Sequence, residues 1–267
     1  MNSDTAARQA PGDGAVDLAY EVAGQRGRPL LLLIHGGTSS RRSWDLLTPA
    51  LRASFRIVAV DLRGHGHSPA PDRGYSALQL SADVGRLADE LELQGVSVVG
   101  HSLGGMVAIH LAAHRPDVVR KLVLLNVPVT PRALEPLVRL EARVRDPGFF
   151  PVTEAFVDEW SSAARALPPH FLAAQQAHIR ALRPVVWRQM FAELARADVS
   201  SELQQVRQST LILWGARDGL LGERPREQLQ AGLGKARVVT ISDAGHNPAT
   251  ATPGRVAEEI SAFAADA

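Results

Sequence analysis

The sequence predicts an α/β fold: a mostly parallel, predominantly eight-stranded sheet with helices on both faces and an inserted helical segment. Short apolar runs alternate with helical patterns through residues 16–126 and again through residues 207–263. This alternation is typical of parallel strands joined by crossover helices. Between these two stretches, residues 127–206 contain no convincing strand pattern. We therefore expect a core of residues 1–126 and 207–267, interrupted by a helical insertion of residues 127–206.

Seven stretches have the composition of strands. The first alternates apolar and polar residues, which indicates an antiparallel strand with one solvated face. Most of the others are solid apolar runs too short for helices, and such runs are typical of strands buried on both faces. In chain order the stretches are residues 16–22, 30–34, 55–60, 96–100, 121–126, 210–214 and 237–241.

Helical patterns lie between the strands. The clearest covers residues 76–93, where Ser76 and Gln79 form a capping box and apolar residues three or four positions apart form one stripe. Near the carboxyl end, Thr252 precedes Pro253, a pair that is typical of a helix start. The other helical stretches are residues 41–53, 106–113 and 223–233.

The insertion is interrupted by prolines and is rich in aromatic residues. It holds five of the seven phenylalanines and two of the four tryptophans. Most of these side chains should build a small core of the insertion itself, because any such segment needs one. The others are expected to line an apolar substrate pocket between the insertion and the sheet. The predicted pocket residues are His101, Phe149, Phe150, Trp160 and Trp187.

The turn after the fourth strand has the form G-x-S-x-G, made by Gly100, Ser102 and Gly104. A serine on so tight a strand-to-helix corner has strained backbone angles, and the glycines leave room for the chain to fold back on itself. Its hydroxyl is then exposed at the carboxyl edge of the sheet, and the amide of Leu103 points into the same space from a helix start. The strand before the turn and the helix after it favour a nucleophile over a glycine-rich turn without chemistry.

Other polar residues follow the remaining strands at the same edge. The carboxyl ends of parallel strands converge where such sheets bind ligands. A serine hydroxyl is a poor nucleophile at neutral pH unless a base takes its proton, and the base needs a carboxylate to fix its tautomer. The chain provides one nucleophile, a later acid and a later histidine. The residues that follow the strands are Gly36, Gly37, Asp61, Ser102, Asn126, Asp218 and His246.

These motifs resemble those of the α/β-hydrolase family over nearly the whole chain. The matching segments are HGG at 35–37, DLRGHGHS at 61–68, GHSLGG at 100–105, GARD at 215–218 and AGH at 244–246. The resemblance implies that Ser102 is the nucleophile, His246 the base and Asp218 the acid. It also implies that the backbone amides of Gly37 and Leu103 form the oxyanion hole, and that the insertion is a cap over the active site.

Several other polar residues compete for roles at this edge. Asp61 is the rival acid, but it precedes the nucleophile in the chain, and in the family its loop is usually structural. His35 and His65 lie in turns, where similar hydrolases use them as structural hydrogen-bonding residues. Asn126 occupies the other position at which an acid would stand, so Asp218 is favoured.

Acyl transfer to water is the chemistry that these residues favour. We expect a carboxylesterase-like serine hydrolase for small to medium, largely apolar esters. Lactonases, thioesterases and carbon–carbon bond hydrolases use the same triad, and cofactor-free haloperoxidases or perhydrolases look similar. A non-catalytic ligand receptor on this fold is an alternative of another class. Haloalkane dehalogenases and epoxide hydrolases of the family use an aspartate where this chain has Ser102.

Composition excludes several further classes of function. A formal net charge of +1 does not favour nucleic acid or an anionic membrane as a partner. No apolar run approaches the roughly 20 residues of a membrane helix. Without cysteine, disulfides and cysteine-bound metals are excluded. His110 and His114 have the spacing of a zinc helix but lack the glutamate of the metalloprotease pattern, so we expect no metal and no cofactor.

The remaining expectations concern location and partners. The amino terminus has no apolar core of the kind found in signal peptides, which predicts a cytoplasmic protein. The expected partner is a small-molecule ester. The insertion also carries many arginines, nearly balanced by acidic residues. Binding of a substrate carboxylate by one of these arginines is an alternative that the sequence leaves open. The sequence leaves the oligomeric state open.

Overall fold

A computed structural model of the chain describes residues 15–131, 134–161 and 167–265. Residues 1–14, on which the expectation of a cytoplasmic protein rests, lie outside the described residues. The strands are β1 (Tyr20–Ala23), β2 (Leu30–Ile34), β3 (Arg56–Val60), β4 (Val96–His101), β5 (Val119–Leu125), β6 (Ser209–Gly215) and β7 (Arg237–Ile241).

These strands form one sheet in the order β1-β3-β2-β4-β5-β6-β7. Only β1 runs antiparallel to its neighbour, and the other neighbouring pairs are parallel. The predicted fold class is confirmed. The described residues contain seven strands rather than eight, because each of the seven strand patterns in the sequence forms one strand and no further pattern exists to supply another. The carboxyl ends of the six parallel strands meet at one edge, and their loops share that space.

Eleven α-helices occur among the described residues, and two 3₁₀ segments, Arg41–Trp44 and Pro147–Phe149, accompany them. The helices are α1 (Thr48–Leu51), α2 (Ala77–Glu90), α3 (Leu103–His114), α4 (Glu135–Arg145), α5 (Glu154–Trp160), α6 (Pro169–Ala181), α7 (Pro184–Leu194), α8 (Ser200–Leu203), α9 (Arg224–Leu233), α10 (Pro248–Ala251) and α11 (Pro253–Ala264).

Two helix starts illustrate what local sequence decides. Helix α2 begins after Ser76, whose side chain accepts a hydrogen bond from the Gln79 amide at 3.3 Å, as the capping box predicts. The single helix expected over residues 41–53 is instead a 3₁₀ turn followed by the one-turn α1. Pro49 lies in the first turn of α1. Because proline lacks an amide hydrogen and is tolerated only at a helix start, a helix that began at residue 41 would not continue through it.

Two apolar cores cover the two faces of the sheet. On β2, Leu31 and Leu33 belong to one core, whereas Leu32 and Ile34 belong to the other, as the two-residue period of a strand requires. The first of these cores contains α11, and the second contains α2, α3 and side chains of the insertion. The parallel strands are therefore buried on both faces, which explains their solid apolar sequences.

Helices α4 to α8 lie between β5 and β6, within the predicted insertion. The described residues of this stretch contain helices and no strand. Their inward side chains, among them Val186 and Trp187, are continuous with the core on the α2 and α3 side of the sheet. Across the described residues, no helix has both the length and the apolar character that crossing a membrane requires.

Candidate active site

Ser102 lies at the sharp turn between β4 and α3. Its backbone angles are φ 50° and ψ −119°, which is unfavourable for any residue with a side chain. A Cβ atom at Gly100 would lie 2.5 Å from the Gly104 carbonyl oxygen, and one at Gly104 would lie 2.3 Å from that of His35. Only glycine fits at these two positions, so the spacing of the motif follows from the close approach of main chains.

The structure brings Ser102, His246 and Asp218 into one hydrogen-bonded row. His246 Nε2 lies 3.1 Å from Ser102 Oγ, and His246 Nδ1 lies 2.9 Å from Asp218 Oδ2. A carboxylate accepts hydrogen bonds, so Nδ1 carries the hydrogen and Nε2 presents its lone pair to the serine hydroxyl. This is the arrangement that proton transfer from a serine requires.

Contact between two loop backbones sets the separation of Asp218 and His246. Asp218 follows β6 and His246 follows β7. A Cβ atom at Gly215 would lie 2.1 Å from the Gly245 carbonyl oxygen, so the two loops touch at the sheet edge. Asp218 Oδ1 accepts the Leu220 amide at 2.9 Å, which fixes the orientation of the carboxylate within its own loop.

The surroundings of Asp218 keep its carboxylate ionised. Burial alone raises its pKa, but the hydrogen bond and charge of His246 oppose this, as do hydrogen bonds from Asn126 and the Leu221 backbone. The net effect is a pKa below the usual value for aspartate. An ionised partner is what orients the histidine and stabilises it when it takes a proton.

Asn126 extends the hydrogen-bonded row at Asp218, although from the sequence it is only the residue at a position where an acid could have stood. Its Nδ2 donates to Asp218 Oδ2 at 2.6 Å, and its Oδ1 accepts the Gly215 amide at 2.9 Å. It has no exposed surface and a φ of 42°, a left-handed conformation that asparagine tolerates better than most residues. The available signal was its place directly after a buried strand at the same edge as Asp218.

His101, which precedes the nucleophile, contacts the histidine loop. Its Nε2 donates to the His246 carbonyl oxygen at 2.9 Å, and the two rings lie 5.0 Å apart. Burial, assisted by the nearby His246, lowers the pKa of His101 to about 3. The ring is therefore neutral, and because Nε2 donates, Nδ1 carries no hydrogen. From the sequence, His101 is predicted to line the substrate pocket, and no sequence pattern predicts its contact with the His246 carbonyl oxygen.

The loop that carries Gly37 approaches both Ser102 and Leu103. A Cβ atom at Gly36 would lie 3.2 Å from the Ser102 Cβ, and one at Gly37 would lie 3.8 Å from Leu103 Cδ2. Leu103 is the first residue of α3, and the first amides of a helix have no acceptor within it. Gly36 therefore packs near Ser102, and Gly37 packs near the side chain of Leu103; the oxyanion role of the Gly37 and Leu103 amides stays a prediction.

Two buried histidines tie this glycine loop to the loop after β3. His35 Nε2 accepts the Leu62 amide at 3.0 Å, and His65 Nε2 accepts the Thr38 amide at 3.3 Å. In each ring Nδ1 donates to a backbone carbonyl. Burial lowers the pKa of His35 to about 3 and that of His65 well below its usual value. Both rings are neutral and engaged at both nitrogens.

The predicted pocket aromatics form a cluster within the insertion. The Phe149 ring lies 4.8 Å from the Phe156 ring and 6.0 Å from the Trp187 ring, edge to face in both pairs. Phe149, Phe150 and Trp160 are partly exposed, whereas Trp187 has no exposed surface. Trp160 donates to Thr38 Oγ1 at 2.9 Å, a contact that sequence analysis did not foresee. The pocket role of these residues stays a prediction.

The competing residues have other partners. Asp61 is fully buried and accepts the Arg41 amide at 2.7 Å and the His67 amide at 3.0 Å. The His110 and His114 rings stack 6.0 Å apart, and no cluster of three or more metal-ligating side chains occurs in the described part of the chain. A cavity of about 890 Å³ borders Arg63 and Asp83, and none of the predicted site residues lines it.

The match to known protein families covers most of the chain. The model described as "Alpha/beta hydrolase family" matches residues 31–259. The chain belongs to the α/β-hydrolase family. The resemblance inferred from the motifs is confirmed, and the serine, histidine and aspartate described above all lie within the matched segment.

Proteins similar to this α/β hydrolase are named for several different activities. "Epoxide hydrolase 4" of Mus musculus is 36% identical over 118 residues, which are 43% of this chain, and the alignment spans only about a third of that relative. "Pimeloyl-[acyl-carrier protein] methyl ester esterase" of Aromatoleum aromaticum is 32% identical, covering 85% of this chain and 94% of the relative. A solved thermophilic esterase from Thermogutta terrifontis is 28% identical, with a TM-score of 0.77 and 93% of each chain covered.

Proposed function

We propose that this α/β hydrolase is a serine esterase that cleaves carboxylic esters of small to medium, largely apolar substrates. The observation that carries the proposal is the position of His246, which bridges Ser102 Oγ at 3.1 Å and Asp218 Oδ2 at 2.9 Å. The esterase names among the relatives of similar length point the same way.

The geometry supports a two-stage acyl transfer. Ser102 Oγ attacks the ester carbonyl while His246 Nε2 takes the hydroxyl proton, and Asp218 stabilises the resulting imidazolium. His246 then gives this proton to the leaving alcohol, and an acyl ester on Ser102 remains. In the second stage His246 takes a proton from water, whose oxygen attacks the acyl carbon. The acid leaves when His246 returns the proton to Ser102, so the enzyme is regenerated without any cofactor.

The oxyanion of each tetrahedral intermediate would bind to the amides of Gly37 and Leu103. The positive end of α3 adds to this stabilisation, because its first amides point away from the helix. Donors placed in advance where negative charge develops favour the transition state over the bound ester. The loop that carries Gly37 passes close to the serine at its preceding residue, since a Cβ atom at Gly36 would lie 3.2 Å from the Ser102 Cβ, and this supports the assignment.

The insertion acts in this proposal as a cap that supplies the apolar part of the pocket. Two arginines of the insertion pair with acidic residues, while Arg188 lies 4.9 Å from the centre of the Phe150 ring. Arg143 lies 3.3 Å from Glu159, and Arg180 pairs with Glu154. These partners favour uncharged acyl groups over monoesters of dicarboxylic acids.

Epoxide opening receives less support, although one relative is named for it. The carboxylate nucleophile of such enzymes is replaced by Ser102. A tyrosine from the insertion is also missing, because the two tyrosines of the chain are Tyr20 and Tyr75. Tyr20 lies on β1, and the Tyr75 hydroxyl donates to the Pro71 carbonyl at 2.7 Å.

A substrate panel combined with active-site labelling tests the proposal. Purified protein is assayed with uncharged aryl esters of increasing acyl length, dicarboxylate monoesters, lactones and thioesters. An organophosphonate is then added, and the modified peptide is identified by mass spectrometry. We expect fastest turnover of uncharged esters and labelling at Ser102 alone. Faster turnover of lactones or thioesters would move the assignment to those classes. No turnover of any class, with Ser102 unlabelled, would favour a ligand receptor.

A further inference from the structure

Three helices of the insertion contact three consecutive residues of the loop that carries Gly37. From α7, Met190 lies against Gly37, since a Cβ atom there would be 3.2 Å from the methionine sulfur. From α5, Trp160 Nε1 donates to Thr38 Oγ1 at 2.9 Å. From α6, Gln175 Oε1 accepts a hydrogen bond from Ser39 Oγ at 3.4 Å. The loop is therefore held from the insertion side at each residue from 37 to 39.

Thr38 is the residue of this loop that most needs to be held. Its φ is 60°, a left-handed conformation that is unfavourable for a β-branched side chain. Such a conformation persists only where the surroundings stabilise it. On the core side its amide donates to His65 Nε2 at 3.3 Å, and on the insertion side its hydroxyl accepts from Trp160. Thr38 itself is buried, and its bond to His65 is buried too, whereas the bond from Trp160 is partly buried.

Trp160 is itself fixed by the aromatic cluster of the insertion. Its ring stacks on Phe156 at 6.0 Å with an interplanar angle of 13°, and it meets Phe191 edge to face at 6.4 Å. Because the ring is fixed in this way, its N–H points in a defined direction. The position of the Thr38 hydroxyl therefore depends on the position of the insertion. The Trp160 hydrogen bond links residues 122 positions apart in the chain.

We propose that Trp160 is a positioning residue that couples the insertion to the oxyanion hole through Thr38. This inference rests on the proposed esterase function. The hydrogen bond from the Trp160 indole keeps Thr38 in its left-handed conformation and thereby keeps the preceding residue, Gly37, against Leu103 at the start of α3. The insertion then completes the oxyanion hole in addition to covering the substrate.

A Trp160 that positions the oxyanion hole and a Trp160 that only lines the substrate pocket would have different kinetic effects when substituted. An oxyanion hole stabilises charge that exists only in the transition state, so its disturbance lowers kcat and leaves KM nearly unchanged. A side chain that merely lines the pocket would change KM instead. Loss of a whole oxyanion donor costs about 10²- to 10³-fold in kcat. Because Trp160 acts through Thr38, we expect about a 10-fold loss when its N–H is removed.

The experiment removes each partner of the hydrogen bond without removing its shape. Trp160→Phe loses the N–H but keeps an aromatic ring, and Thr38→Val loses the hydroxyl but stays β-branched. Thr38→Ser retains the hydroxyl and serves as the rescue variant. Trp44→Phe is the control for the same substitution, since Trp44 is a buried tryptophan whose Nε1 has no hydrogen-bond partner among the described residues. It packs on the opposite face of the sheet.

Steady-state kinetics with an uncharged aryl ester and thermal unfolding are measured for every variant. We expect Trp160→Phe and Thr38→Val to lose about 10-fold in kcat each, the double variant to lose no more, and Thr38→Ser and Trp44→Phe to retain the wild-type kcat. Unchanged kcat in Trp160→Phe, a change in KM alone, or additive losses in the double variant would overturn the coupling while leaving the esterase proposal intact. A wild-type protein without turnover and without labelling at Ser102 would overturn both.

Discussion

The sheet edge and the insertion hold their functional side chains in different ways. At the sheet edge, main chains touch directly: a Cβ atom at Gly104 or Gly215 would collide with a neighbouring carbonyl oxygen at 2.3 or 2.1 Å. The insertion instead reaches the site through side chains, as in the Trp160 bond to Thr38 and the packing of Met190 on Gly37.

The two kinds of contact leave different marks on the sequence. A close approach of two main chains permits only glycine, so it leaves a fixed letter at a fixed spacing. A contact between two long side chains is compatible with many residue types and leaves no such mark. The chemistry should accordingly lie at the sheet edge, with the insertion adjusting it. Variants at the edge should then cost far more activity than the roughly 10-fold loss expected for Trp160→Phe.

Removal of the nucleophile should have the largest effect. We expect Ser102→Ala to lower kcat for an aryl ester by about 10⁴- to 10⁶-fold, His246→Ala to do the same, and the double variant to be little worse, because residues that act as one unit are not additive. Single-turnover kinetics and ligand binding by calorimetry measure this. Substantial turnover by Ser102→Ala would contradict the assignment of Ser102 as the nucleophile, and the reaction would then not take place at the sheet edge.

Substitution of Asp218 should cause the next largest loss of activity, and comparison with Asp61 shows which of the two carboxylates serves as the acid. Asp218→Asn should lower kcat by about 10⁴-fold with the fold intact, since the histidine loses the partner that fixes its tautomer. Asp61→Asn is the comparison, because Asp61 is bound to the Arg41 and His67 amides instead. Its turnover should stay near wild type in protein whose circular dichroism is unchanged. Equal losses in folded samples of both variants would contradict the assignment of Asp218.

Asn126 tests how far the sheet-edge network extends beyond the triad. Asn126→Asp keeps an acceptor for the Gly215 amide but replaces the donor to Asp218 with a second carboxylate. The neighbouring charge should raise the pKa of the Asp218 carboxyl, so less of it is ionised as pH falls. We expect a loss of about 10-fold in kcat that grows toward acidic pH. A pH–rate profile measures it, and a profile identical to wild type would limit the network to three residues.

Substitution of His101 should have the smallest effect on activity, and it should change mainly the pH dependence of the free energy of unfolding. The folded-state pKa of His101 is about 3, below the ordinary value near 6.5, so the unfolded chain binds a proton between these values and the folded protein does not. The stability from His101 is therefore complete above about pH 6.5 and is lost as pH falls toward about 3. His101→Gln, which keeps a donor for the His246 carbonyl, should lessen the pH slope of unfolding free energy by about 1.4 kcal/mol per pH unit.

Urea unfolding between about pH 6 and pH 4 measures that slope, because there the unfolded chain holds the proton and the folded protein does not. An unchanged slope in His101→Gln would mean that His101 takes up a proton within the folded protein. For His101→Gln we also expect little change in kcat at pH 8, because the glutamine side chain still donates a hydrogen bond to the His246 carbonyl oxygen.

Much of the fold could be predicted because its signals are local. The bounds expected for β2 and β7 match the structure, and α2 begins at its predicted cap. Each of these follows from the period of apolar residues or from a side chain that caps its own helix. The expected helix over residues 41–53 was wrong, because the effect of Pro49 was not weighed. The expected eighth strand had no stretch of sequence to form it.

The strands, the strained serine turn and the chain order of Ser102, Asp218 and His246 could be read from the sequence alone. Each depends on neighbouring residues or on glycines that a main-chain contact requires. The tertiary structure alone decided the partners of these groups. Asn126 meets Asp218 across 92 positions, Trp160 meets Thr38 across 122, and His101 meets His246 across 145. The physical reason is that hydrogen-bond partners so far apart are chosen by how strands and helices pack, and no local pattern records that choice.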